Sequence, residues 1–182
     1  MLSSDLALFR RVGGRAIFAP ALAVFAALLL SACTVQPLYG PSATGQSVNS
    51  KVTQIAIEPV TSRVAQVIRN KLIFDLSGGA EPSTPLYTMR LSVSAAESAL
   101  GVTPIEAAPA YSLTVSATYE VVSVATGDIV LRGTSRGTAS YDRITQVYAN
   151  TRAQIDAEDR AATQAADDIR TRLAAAAAKG TL

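Results

Sequence analysis

The chain has 182 residues, with 16 Lys or Arg, 14 Asp or Glu, one Cys, and neither His nor Trp. Without His and with a lone Cys, it has no imidazole base, no His ligand for zinc and no disulfide within the chain. Arg10, Arg11, Arg15 and Asp5 all precede the cysteine, so the remainder is charge-balanced and offers no global attraction to nucleic acid.

Residues 1–32 have the three parts of an export signal. The arginines form a basic start, Ala16 to Leu30 is an apolar run of about fifteen residues, and Ser31-Ala32 lead into Cys33. That run is shorter than the roughly 20 residues a spanning helix needs. Leu30-Ser31-Ala32-Cys33 fits the bacterial lipobox, in which small side chains flank the scissile bond and the thiol takes a diacylglycerol. Residues 1–32 are therefore expected to be removed and Cys33 to carry the lipid. Each buried CH₂ of such an anchor contributes about 0.8 kcal/mol, so two or three acyl chains hold firmly. Thr34 stands where Asp would favour retention at the inner membrane, which points to the outer membrane.

Residues 33–50, rich in Pro, Gly and Ser, read as a lipid-anchored flexible tether carrying two conspicuous apolar residues, Leu38 and Tyr39. Residues 51–182 read as a single domain. Lys51 to Pro59 has strand character, with Ile55 and Ile57 on one face. Thr61 or Ser62 can cap a helix whose stripe is Val64, Val67, Ile68 and Leu72, and Gly78-Gly79 stop it. Arg63, Arg69 and Lys71 lie off that stripe.

Leu86 to Val93 alternates as a second strand, and residues 94–110, with Pro104 and Pro109, read as a loop. Tyr111 to Ala125 is the longest strand signal, followed by the turn Thr126-Gly127-Asp128 and a return over Ile129 to Ser135. From about Asn150 to Lys179 the apolar residues Ile155, Ala162, Ala166, Ile169, Leu173 and Ala176 recur at helical spacing. The expected fold class is α+β, a two-layer sandwich of order β-α-β-β-β-α. Two helices pack on one face of a four-stranded mixed sheet. The other face, with its Ser, Thr and Arg, is left open.

Two stretches give this order a family resemblance. Cys33-Thr34-Val35-Gln36-Pro37-Leu38-Tyr39-Gly40 follows the lipobox, and the last helix contains Asp156-Ala157-Glu158-Asp159-Arg160-Ala161. With the βα unit and three-strand meander between them, they resemble the LPS-assembly lipoprotein family of the outer-membrane LPS translocon (LptE) in its alphaproteobacterial form. Thr34-Val35 stand where many relatives have Gly-Phe. The resemblance implies a lipoprotein on the periplasmic side of the outer membrane. It would plug and help assemble the translocon's β-barrel (LptD) and assist lipopolysaccharide insertion, without being an enzyme.

Lipopolysaccharide carries phosphates, which Arg binds in bidentate fashion. Arg90, Arg132 and Arg136, on the mixed faces of neighbouring strands, are the candidate phosphate contacts. A different partner class is the alternative: an accessory subunit of a phospholipid ABC transporter, which also combines a lipobox, a tether and a βα sandwich. Asp156, Glu158, Asp159, Asp167 and Asp168 gather on the last helix, but acid and base alternating on an exposed helix make a solvated face. No catalytic residue, metal site or cofactor is expected.

Overall fold

The computed structural model describes residues 48–100 and 110–182. The expectations for the signal, Cys33, the tether up to residue 47, Leu38, Tyr39, Pro104 and Pro109 fall outside those residues. Helix α1 (Val48–Val52) leads into β1 (Ile55–Ile57), α2 (Arg63–Ser77), β2 (Tyr87–Leu100), β3 (Ala110–Ser123), β4 (Ile129–Asp142) and α3 (Val147–Ala178). The sheet order is β1-β2-β3-β4, with β1 parallel to β2 and the other pairs antiparallel. This is the expected mixed four-stranded sheet, in the expected order, with α1 added ahead of it.

Several element limits differ from those read in the sequence. Lys51 and Val52 belong to α1 rather than to a strand. Val52 is buried and the Lys51 ammonium donates to the Leu182 carbonyl at 2.5 Å. Residues 94–100 continue β2 instead of starting a loop, because β3 pairs with them as far as Leu100↔Ala110. β4 runs seven residues beyond Ser135, to Asp142, on the same β3 template.

The strands show why one face is inside. In β3, Leu113, Val115, Ala117, Tyr119 and Val121 are all buried beneath the helices. In β4 the inward positions are Ser135, Gly137, Ala139 and Tyr141. The small ones are required by α3. A Cβ on Gly137 would stand 1.9 Å from the Ala161 carbonyl oxygen and 3.0 Å from the Ala165 nitrogen, so helix and strand meet backbone to backbone. On the helix side the seam is Ala157, Ala161, Ala162, Ala165 and Ala166, all fully buried. Tyr119 lies over its cross-strand partner Gly133, where a Cβ would come within 2.6 Å of the phenol oxygen.

Helix α2 starts as the sequence indicates. The Ser62 side chain accepts from the Ala65 N–H at 3.2 Å, satisfying an amide that the first turn leaves open. Gly78 ends it with φ 71°, a left-handed conformation that costs Gly nothing. The β3–β4 turn closes with Gly127 at φ 76°, its N–H donating to the Ser123 carbonyl at 2.8 Å. Among the described residues, no helix is long and apolar enough to cross a membrane.

Candidate ligand and partner face

The face of the sheet away from the helices is built from the even-numbered positions of β2, β3 and β4. The register lays them out in rows. Ser92, Thr118 and Thr134 share one row, Ser94, Ser116 and Arg136 the next, Ala96, Thr114 and Thr138 the third, and Ser98, Ser112 and Ser140 the fourth. Thr118 and Thr134 hydroxyls meet at 3.1 Å. The four rows make a wettable hydroxyl surface, with exposed Leu86 and Val124 beyond one end of it and Leu100 at the other.

All three candidate arginines stand on this face. Arg90 and Arg132 flank Glu120 in a single row, being its register partners on β2 and β4. Arg132 Nε lies 2.8 Å from Glu120, and Arg90 Nε lies 3.2 Å from Glu58, just past the end of β1. Glu58, Arg90, Glu120 and Arg132 thus form a row of alternating charge across four strands. Arg69 steadies its outer end, because its Nε donates to the Ile57 and Glu58 carbonyls at 3.1 and 3.2 Å while the guanidinium also pairs with Glu81. Arg136 sits two rows away in the hydroxyl field, exposed and with no carboxylate partner among the described residues. The structure therefore brings Arg90 and Arg132 together and leaves Arg136 apart.

The sequence reading missed Glu58 and Glu120 as members of the row. Glu120 sits on the Ser/Thr side of β3's alternation, but its position between two arginines depends on register, which no single strand encodes.

The carboxylates of α3 are structural. Glu158 and Asp159 both take Arg63 of α2, the latter at 2.6 Å. Asp167 lies 3.3 Å from Lys71, which also holds Asp75. The hydrogen bond to Asp75, ahead of that to Asp167, keeps the Lys71 ammonium above its ordinary pKa. Asp156 and Asp168 pair with Arg160 and Arg172 one turn on, each at 2.8 Å. Arg63 and Lys71, which lie off the apolar stripe of α2, tie α2 to α3.

At the far end of the sheet's inner face, Tyr111 and Tyr141 stack with centroids 5.8 Å apart. The Arg143 guanidinium covers Tyr111 at 3.9 Å and donates to Glu97 at 2.5 Å and to the Tyr141 hydroxyl at 3.0 Å. Gln154 of α3 donates to the second Glu97 oxygen at 3.2 Å. This cluster seals the core where the strands outrun the helices. No group of His, Cys, Asp and Glu able to hold a metal ion occurs among the described residues.

Residues 52–173 match the family LptE, described as lipopolysaccharide-assembly. The chain belongs to the LptE family. Its role accordingly lies in lipopolysaccharide assembly. Among solved structures it is similar to a lipoprotein from Caulobacter crescentus, at 26% identity and a TM-score of 0.60 over 72% of this chain and 96% of that one. It shares the fold of rare lipoprotein B from Shewanella oneidensis, at 17% identity and a TM-score of 0.51 over 66% of this chain and 92% of the other. No curated protein matches the chain. LptE membership selects lipopolysaccharide assembly over the phospholipid-transport alternative.

Proposed function

We propose that this LptE-family protein is an outer-membrane lipoprotein, anchored through Cys33 on the periplasmic side. It sits as a non-catalytic plug in the translocon barrel LptD, helps that barrel assemble and assists lipopolysaccharide insertion into the outer leaflet. The family match over residues 52–173 carries the reading, and the hydroxyl face supports the plug. A barrel lumen is polar, so a domain inside it must present groups that hydrogen-bond with water or with polar walls. Ser92, Ser94, Ser116, Thr134 and Thr138 do so.

The phosphate contacts follow in a defined order. Arg136 is the first, since among the described residues its guanidinium has no carboxylate to leave. Arg90 and Arg132 contribute less, because a phosphate must compete with Glu58 and Glu120 for them. Hydrogen bonds to charged groups are worth about 1.5–3 kcal/mol, so Arg136→Glu is expected to weaken lipopolysaccharide binding about tenfold or more. Unchanged binding after reversing all three arginines would remove them as contacts. The plug itself is tested by mild-detergent extraction of the native outer membrane with a C-terminally tagged chain. A stoichiometric complex with the translocon barrel is the expected result, and transporter subunits of the inner membrane in its place would overturn it.

A further inference from the structure

We propose that the outer edge of β2, from Leu91 to Leu100, is a strand-addition site that takes one extended segment of the partner protein. The inference rests on the partner reading above and says where on this chain the partner's backbone joins. β1 covers only the first residues of β2, pairing Ile55 to Ile57 with Tyr87 to Met89. The Tyr87 N–H donates to Gln54 at 3.3 Å, and the Met89 carbonyl accepts from the Glu58 N–H at 2.9 Å. Those bonds fix which residues of β2 turn their backbone groups outward. The pairing with β3 runs without a shift along the whole of β2. The N–H and C=O of Leu91, Val93, Ala95, Glu97 and Ala99 therefore point to the same open side. Among the described residues nothing bonds to them.

The opposite edge is treated differently. On β4, the Thr138 N–H donates to the Gln164 side chain at 3.0 Å and the Ser140 carbonyl accepts from Arg160 at 2.9 Å, both from α3. Arg132 and Arg136 stand along the middle of the same strand. These are the devices by which proteins keep an edge from pairing. Leu91 to Leu100 has no Lys, Arg or Pro, and Glu97, its sole charge, is turned to Arg143 and Gln154.

Five donors and five acceptors in a row are matched by another extended backbone. The flanks specify its side chains. On the helix side Leu91 and Val93 are half-buried against the core, so the segment presents apolar residues there. On the other side Ser92, Ser94 and Ser98 call for hydroxyl or amide groups, giving an alternating pattern. Ala95, Ala96 and Ala99 leave the approach unobstructed.

The test is amide hydrogen exchange on the full chain, free and in the complex purified from the native outer membrane. The amides of Leu91, Val93, Ala95, Glu97 and Ala99 are expected to exchange at least tenfold more slowly in the complex. Equal rates overturn the proposal. Protection already present in the chain alone also overturns it, by assigning the edge to this chain's own N-terminal segment. Protection that rises with the concentration of the free chain does the same by assigning it to a second copy. A paired substitution is the second test. Ala95→Pro removes an outward N–H and spares the β3 ladder, whereas Ala96→Pro breaks that ladder. Ala95→Pro is expected to fold, as its melting curve would show, and to recover at least tenfold less barrel. Equal recovery sinks the edge proposal and leaves the plug standing. Failure of the unaltered chain to recover any barrel sinks the plug and this inference with it. If Ala95→Pro does not fold, the exchange measurement decides.

Discussion

Gly137 and Ser135 sit two residues apart on the inward face of β4 and set opposite demands. Gly137 is where the backbones of β4 and α3 touch, and a methyl group there would overlap the Ala161 carbonyl. Neither partner can move without shifting a whole element, so Gly137→Ala is expected to cost about 3 kcal/mol or more, the upper end of overpacking penalties. Urea denaturation would show it as a lower midpoint with an unchanged slope. Ser135 is 1% exposed and its hydroxyl oxygen has no hydrogen-bond partner among the described residues. An unsatisfied buried hydroxyl costs roughly 1–3 kcal/mol, so Ser135→Ala is expected to raise the melting temperature. A lowered one would mean the hydroxyl has a partner in solution.

At the scale of elements, α2 depends on its cap. Removing the Ser62 oxygen in Ser62→Ala is expected to cost about 1 kcal/mol, read as a lower denaturation midpoint, with Ser62→Gly milder. This start and the stop at Gly78 were legible in the sequence, as was the β3–β4 hairpin, because capping residues, Gly-containing turns and strict alternation are local signals. The far halves of β2 and β4 were not. Ala95, Ala96, Ser98 and Ala99 have weak strand preference by themselves and extend only because β3 offers them a partner. Ser135, Gly137 and Ala139 are too small or polar to announce an inward face, yet they are inward because α3 comes so close. The same limit applies to the candidate site. Alternation placed Arg90, Arg132 and Arg136 off the apolar stripes. That Glu58 and Glu120 hold two of them follows from pairing between strands, which lies outside any single segment.

For the molecule as a whole, pH acts at the alkaline end. The chain has no His to titrate near neutrality. Burial pushes the Tyr119 phenol up from its ordinary 10.0, and burial, followed by the hydrogen bond with Glu97, does the same for Tyr141. The folded state thus holds these protons more tightly than the unfolded chain does. That contribution is fully present below pH 10 and is lost as pH rises through the higher folded values. The denaturation midpoint is expected to fall above pH 10, as Tyr119 and Tyr141 are driven to phenolate. A midpoint that stays flat to higher pH would contradict this.

The backbone contact between α3 and β4 has a mechanical consequence. Cores padded with long side chains can slide a little, one rotamer giving way to another. Along the alanine seam and Gly137 there is almost nothing to give. The 32 residues of α3, about 48 Å at 1.5 Å each, are clamped to the sheet as a stiff rod. A push on the stacked tyrosines at one end should therefore reach α1 and Leu182 at the other as displacement of a whole body, and not be absorbed along the way.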